Sequence, residues 1–149
     1  MVLLDTNVVS ELMRPNPDPR VEAWLSRRIA ASVFISAISE AEIRYGAAIL
    51  PAGRRRDTLI AAIEDMFRRD FAARVLPFDS AAAAAYASIA TARRHAGRPI
   101  SQSDCQIAAI ARSRGAEIAT RDSGGFTDCG IGVINPWNGW EPADAILQR

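Results

Sequence analysis

Four acidic residues, far apart in the chain, stand where they could do chemistry together. Asp5 closes the first apolar run, in Val2-Leu3-Leu4-Asp5-Thr6-Asn7, and Glu42, Asp104 and Asp122 each fall where a strand ends or a helix begins. Brought together, they would concentrate negative charge with no evident cation to neutralise it. Two carboxylates about 4 Å apart repel by roughly 4 kcal/mol at an effective dielectric near 20. Such a group is tolerable when some members stay protonated or a cation lies among them. Mg²⁺ and Mn²⁺ prefer oxygen ligands, so a hard divalent cation is the obvious counter-charge. The chemistry this suggests is metal-assisted work on phosphate.

Each acid also has a local explanation. Asp5, before Thr6 and Asn7, can cap the turn into the first helix. Ser39-x-x-Glu42 and Ser101-x-x-Asp104 resemble capping boxes, in which the acid reaches back to an exposed backbone N–H. Asp122, in Thr120-Arg121-Asp122-Ser123-Gly124-Gly125, fits an Asx-type turn, and Arg121 could pair with a carboxylate. Taken singly, all four lean structural. Only their joint placement favours function. Glu64, Asp65 and Asp70 belong to the solvated face of an Arg-rich helix, and Asp128 is a weaker fifth candidate.

Composition narrows the chemistry further. All 18 basic residues are Arg. A P-loop needs its Lys and Schiff-base chemistry needs an amine, so both are excluded. Phospho-aspartate receivers, which usually carry an essential Lys, are disfavoured. His95 is the only histidine, which leaves no His pair for zinc and a poor candidate for a triad base. The formal charge of +1 gives no global case for nucleic-acid binding. Any such case rests on local patches: Arg54-Arg55-Arg56, Arg68-Arg69, Arg93-Arg94 with Arg98, or Arg14, Arg44 and Arg121 nearer the acids. Cys105 and Cys129 lack C-x-x-C spacing and are expected to be reduced and partly buried. With no signal-type leader and no apolar run of membrane-spanning length, the expected location is cytoplasmic.

The elements that must position these residues alternate. Strands are expected at Val2 to Asp5, Ser32 to Ser36, Arg74 to Phe78, Glu117 to Thr120 and Gly132 to Ile134. Helices are expected at Asp18 to Arg28, Glu40 to Leu50, Gly53 to Phe71, Ser80 to about Ala96, and from Ile100-Ser101 to Arg114, with Gly97 and Gly115 as C-terminal stops. From Trp137 to Arg149 a tail is expected to wrap the surface. Strands separated by helices indicate a parallel sheet covered on both faces, whose crevice lies beyond the carboxyl ends of the strands.

Five segments, in order, then resemble a known family. LLDTNVVSEL, AEIRYG around Glu42, RPISQSDCQIAAIA around Asp104, ATRD at Asp122 and VINPW are similar to motifs of PIN-domain proteins. Among these, the resemblance is to toxins of bacterial VapBC-type pairs, in the FitB-like branch. It implies a three-layer α/β/α sandwich around a central, mainly parallel five-stranded sheet, with residues 1–137 as a PIN-like nuclease domain and 138–149 as a C-terminal tail. It also implies metal-dependent endonucleolytic cleavage of RNA, with Mg²⁺ or Mn²⁺. Asp5, Glu42 and Asp104 match the three principal acidic positions and Asp122 the fourth, while Thr6, Asn7 and Thr120 match polar positions that shape the site. Ser103 stands before Asp104 where Ala is expected.

In this scheme Asp5, Asp104 and Asp122 hold the metal, and Glu42 either holds it through water or orients the nucleophile. Water attack predicts 5′-phosphate and 3′-hydroxyl ends. The implied partners are a homodimer mate, an RNA substrate and a cognate antitoxin with a ribbon-helix-helix head, so that DNA is bound only through the complex. Two alternatives are a PIN-like scaffold without catalysis and an Asp-nucleophile phosphohydrolase. Asn7, where the latter wants a second Asp, counts against it.

Overall fold

Side chains of a strand point alternately to opposite faces, and the first strand shows the consequence for the whole chain. Val2 and Leu4 enter one apolar core and Leu3 the other, all at 2% exposure or less. The computed structural model describes residues 1–139. Among these the strands are β1 (Val2–Leu4), β2 (Val33–Ser36), β3 (Val75–Leu76), β4 (Glu117–Ala119) and β5 (Val133–Ile134). They form one parallel sheet in the order β3-β2-β1-β4-β5.

Helices cover both faces: α1 (Thr6–Leu12), α2 (Pro19–Ser26), α3 (Ala37–Ala48), α4 (Arg54–Arg69), α5 (Ser80–His95) and α6 (Gln102–Ser113). Val8, Val9, Val21, Trp24, Ile43, Ile63 and Phe67 pack from α1 to α4 against Val2, Leu4, Val33 and Ile35. Ile89 of α5 and Ile107 and Ile110 of α6 pack on the other face, around Leu3 and Ile118. The result is the expected three-layer α/β/α sandwich. No described helix is long and apolar enough to cross a membrane.

Three local differences matter for the site. The apolar pattern marked no helix over Thr6–Leu12, yet one forms there with Asp5 as its cap, its period masked by three β-branched residues, Thr6, Val8 and Val9. Helix α3 begins at Ala37 rather than Glu40, because the buried Ser36 caps it by accepting from the Ser39 N–H at 3.0 Å. Strand β3 is two residues long instead of five. Pro136 and Trp137 are buried, and the expected wrapping of the tail lies, beyond Gly139, outside the described residues.

Candidate functional site

The chain leaves β1 for β2 on one side of the sheet and returns to β4 on the other, so the crevice opens between the carboxyl ends of β1 and β4. Asp5 lies there with 6% of its surface exposed. Its Oδ1 accepts from the Thr6 N–H at 2.8 Å, as the cap of α1. Its Oδ2 accepts from the Thr120 hydroxyl at 2.8 Å and the Asn7 amide at 3.3 Å. Asn7 also donates to Thr120 and accepts from the Arg121 N–H, so it braces β1 against β4.

Asp5, Glu42, Asp104 and Asp122 line one open cleft of about 600 Å³, together with Arg14 and Arg121. The four acids are therefore brought together. Burial pushes the Asp5 carboxyl above its ordinary value; the Thr120 and Thr6 bonds oppose this, and the charges of Asp104 and Asp122 add to it. Glu42 is pushed up in the same way by burial, against its bond from Thr6, with Asp5 and Asp104 adding repulsion. The Thr6 hydroxyl donates to Glu42 Oε1 at 3.2 Å and lies 2.9 Å from the Ser39 hydroxyl.

Asp5 and Asp122 do cap backbone N–H groups beside the shared cleft, while for Asp104 only the Ser101 half of the expected capping box is present. Ser101 accepts from the Asp104 N–H at 3.3 Å, and Asp122 Oδ1 accepts from the Gly125 N–H at 3.1 Å. A carboxylate has two oxygens and about four acceptor sites, so a cap leaves capacity for the cleft. Ser39, by contrast, is not the cap of its helix; Ser36 is.

The oxygen-only donor set suits a hard divalent cation. A bound cation would offset the cost of burying the Asp5 and Glu42 charges and the smaller repulsion from their acidic neighbours. Among the described residues, no group of three or more Asp, Glu, Cys or His side chains is disposed to hold a metal ion as it stands. The acids thus offer oxygen donors of the kind Mg²⁺ or Mn²⁺ prefers, lining one cleft without a formed coordination site.

The other candidates sort clearly. Asp128 does not line the cleft; it is exposed, at positive φ, and pairs with Arg98 at 3.7 Å. Arg44 pairs with Glu40 and Glu64 over the Phe67 ring, Arg68 and Arg69 pair with Asp65, and Arg93 is buried. Arg121 lies over the Trp137 ring, 5.1 Å from its centroid, and Arg14 pairs with the nearly buried Glu11 at 3.1 Å. Cys105 and Cys129 are free and buried, and burial pushes the Cys105 thiol up to about 11. Three contributors were not visible in the sequence: the Ser36–Ser39 support behind Thr6, Trp137 beneath Arg121, and Gly125 against Asp122. Only the last had a signal, the Gly-Gly pair three residues after an Asx-type acid.

The PIN domain family matches residues 2–130. The chain is 44% identical to the Toxin FitB of Neisseria gonorrhoeae over 138 residues, which span 93% of this chain and 99% of that one. It is 41% identical to the VapC ribonuclease Y4jK of Sinorhizobium fredii over 143 residues, 96% of this chain and all of the relative. Among solved structures it resembles FitAB bound to the IR36 DNA fragment, with a TM-score of 0.89 and 43% identity over 96% of this chain and 99% of that one.

Proposed function

The chain belongs to the PIN-domain family, and on that premise we propose that it is the toxin of a toxin–antitoxin pair, an endoribonuclease dependent on Mg²⁺ or Mn²⁺. The observation that carries this is the single cleft shared by Asp5, Glu42, Asp104 and Asp122, in which burial first, and the neighbouring carboxylates second, hold Asp5 and Glu42 above their ordinary values. The names of the relatives, a toxin and a ribonuclease, support it. So does the resemblance to an assembly bound to DNA.

In this proposal Asp5, Asp104 and Asp122 hold the ion. When bound, it supplies acidification of a water and neutralisation of the scissile phosphate. The chain's own groups do the rest. Thr120, Thr6 and Asn7 fix the Asp5 carboxylate by three donated bonds. Glu42, aimed by Thr6, orients the attacking water. Arg14 and Arg121 face the cleft as cations for the flanking phosphates. The nuclease unit is residues 1–137, with 138–149 as a tail. The partners are a second copy and a small antitoxin with a ribbon-helix-helix head, which carries the DNA contacts.

The test begins with Mn²⁺ titration by calorimetry into wild type, Asp5→Asn and Asp104→Asn, each checked for folding. Both variants should weaken binding. RNA cut by the wild type in Mg²⁺ should carry 5′-phosphate and 3′-hydroxyl ends, and both variants should lose the cutting. Ends bearing a 2′,3′-cyclic phosphate would refute water attack, and a folded wild type that binds no Mn²⁺ would favour a scaffold.

A further inference from the structure

A buried cation unused by the chemistry lies behind the cleft. Arg93, in the last turn of α5, is 6% exposed, and its hydrogen-bond partners include three backbone carbonyls. Nε donates to Arg98 O at 2.6 Å, while Nη1 donates to Gly125 O at 3.0 Å and Thr127 O at 2.8 Å. A buried charge is costly unless it is fully hydrogen-bonded, so these bonds define where the loop must lie.

Gly125 connects this cation to the site. Its carbonyl accepts from Arg93, and its N–H donates to Asp122 Oδ1 at 3.1 Å. A β-carbon at Gly125 would lie 2.9 Å from Asp122 Cγ and closer still to Oδ2. The Asp122 carboxylate therefore rests directly on this residue. Arg98 adds a second hold by donating to the Thr127 hydroxyl, which itself donates to Gly124 O at 3.0 Å.

We propose that Arg93 is a positioning residue that holds the Asp122 carboxylate in the cleft through Gly125. Its consequence for metal binding rests on the reading of Asp122 as a metal ligand. The planar guanidinium fork suits the task, because one side chain reaches carbonyls at both ends of the turn.

Two measurements on the full chain test this. The first needs no metal: amide hydrogen exchange at Gly125, read by NMR, in wild type, Arg93→Met and Arg93→Lys. The Lys variant keeps a buried charge while losing the fork, and so remains informative should the Met variant fail to fold. Gly125 should exchange about tenfold faster in either folded variant, while amides in the α6 interior such as Ile107 keep their rates. Unchanged Gly125 exchange in a folded variant overturns the proposal.

The second is Mn²⁺ titration of the same variants and of Gly125→Ala, alone and combined with Asp122→Asn or Asp104→Asn. Each should weaken Mn²⁺ binding by about tenfold, as loss of an outer-shell partner commonly does. Each should add nothing on top of Asp122→Asn, yet still add to Asp104→Asn. Full additivity with Asp122→Asn would overturn the route through Gly125, since a merely stabilising Arg93 has no reason to share its effect with one acid. If Asp122→Asn leaves Mn²⁺ affinity unchanged, the ligand reading of Asp122 fails, and Gly125 exchange decides the role of Arg93 by itself.

Discussion

The hydroxyl of Thr120 donates to Asp5 Oδ2 at 2.8 Å, joining residues 115 positions apart at the carboxyl ends of two neighbouring strands. The Thr120 hydroxyl oxygen in turn accepts from the Asp122 N–H at 3.1 Å and from the Asn7 amide at 3.3 Å. One fully buried side chain thus fixes both the first acid and the start of the loop carrying the last.

Replacing Thr120 by Val keeps the shape and removes the hydroxyl. Asp5 then loses a donor in a buried place, and the Asp122 N–H loses its acceptor. Leaving buried groups unpaired costs about 1–3 kcal/mol. Urea denaturation at neutral pH in EDTA should register that loss for Thr120→Val, and Mn²⁺ affinity should fall with it. Thr120→Ser, which keeps the hydroxyl, should recover most of both. A Val variant as stable as wild type would show that the bond is incidental.

Acidity at Asp5 has a definite sign. Its folded value is raised, chiefly by burial, so the folded state holds this proton more tightly than the unfolded chain does. Stability falls with pH wherever the folded state binds more protons. The loss therefore begins near the ordinary value of 3.8, grows until the raised folded value is passed, and is constant above it. Glu42 contributes in the same direction from 4.5 upward. In EDTA, the stability of wild type minus that of Asp5→Asn should fall as pH rises from about 4 towards 7. Saturating Mn²⁺ should shrink that fall. A difference independent of pH would show that Asp5 carries no such shift.

Much of this architecture could be read from the chain itself. Short apolar runs ended by polar turns marked the strands, and Gly97 and Gly115 marked helix ends, because these are local events. Asp5 and Asp104 could be placed at element ends for the same reason. Helix α1 was hidden because Thr6–Leu12 spans barely two turns, too few for a period to emerge. Ser39 was mistaken for a cap because Ser36 and Ser39 carry the same chemistry three residues apart, and only the backbone shows which begins the helix. The Arg93–Gly125–Asp122 connection was invisible because it joins three elements through backbone atoms, which leave no mark in residue type. Arg93 looked like one more surface cation.

Trp137 gives a test of where the folded unit ends. It is 6% exposed, lies in the core beside Val21 and Trp24, and carries the Arg121 guanidinium on its face. Truncating a buried Trp to Ala typically costs about 3–5 kcal/mol. Trp137→Ala should show a loss of that order by denaturation, whereas Ile29→Ser, at a residue 77% exposed, should change stability little. A small loss at Trp137 would mean that the sheet and helices stand without this segment.

The two cleft arginines differ from the remaining Arg pairs in what they face. Arg14 and Arg121 line the acidic cleft, while Arg68 and Arg69 are joined to Asp65 along the outside of α4. A cation beside a cluster of carboxylates is well placed to admit a polyanion that the carboxylates alone would repel. Each phosphate neutralised on a single strand contributes about −0.7 to the slope of log affinity against log salt. Arg14→Gln with Arg121→Gln should therefore flatten that slope by about 1.4 for single-stranded RNA, measured by fluorescence anisotropy on an Asp104→Asn background that prevents cutting. Arg68→Gln with Arg69→Gln should leave it nearly unchanged. Flattening by the Arg68 and Arg69 pair alone would place the RNA across α4 instead of the cleft, and the cleft arginines would then have to be assigned to another ligand.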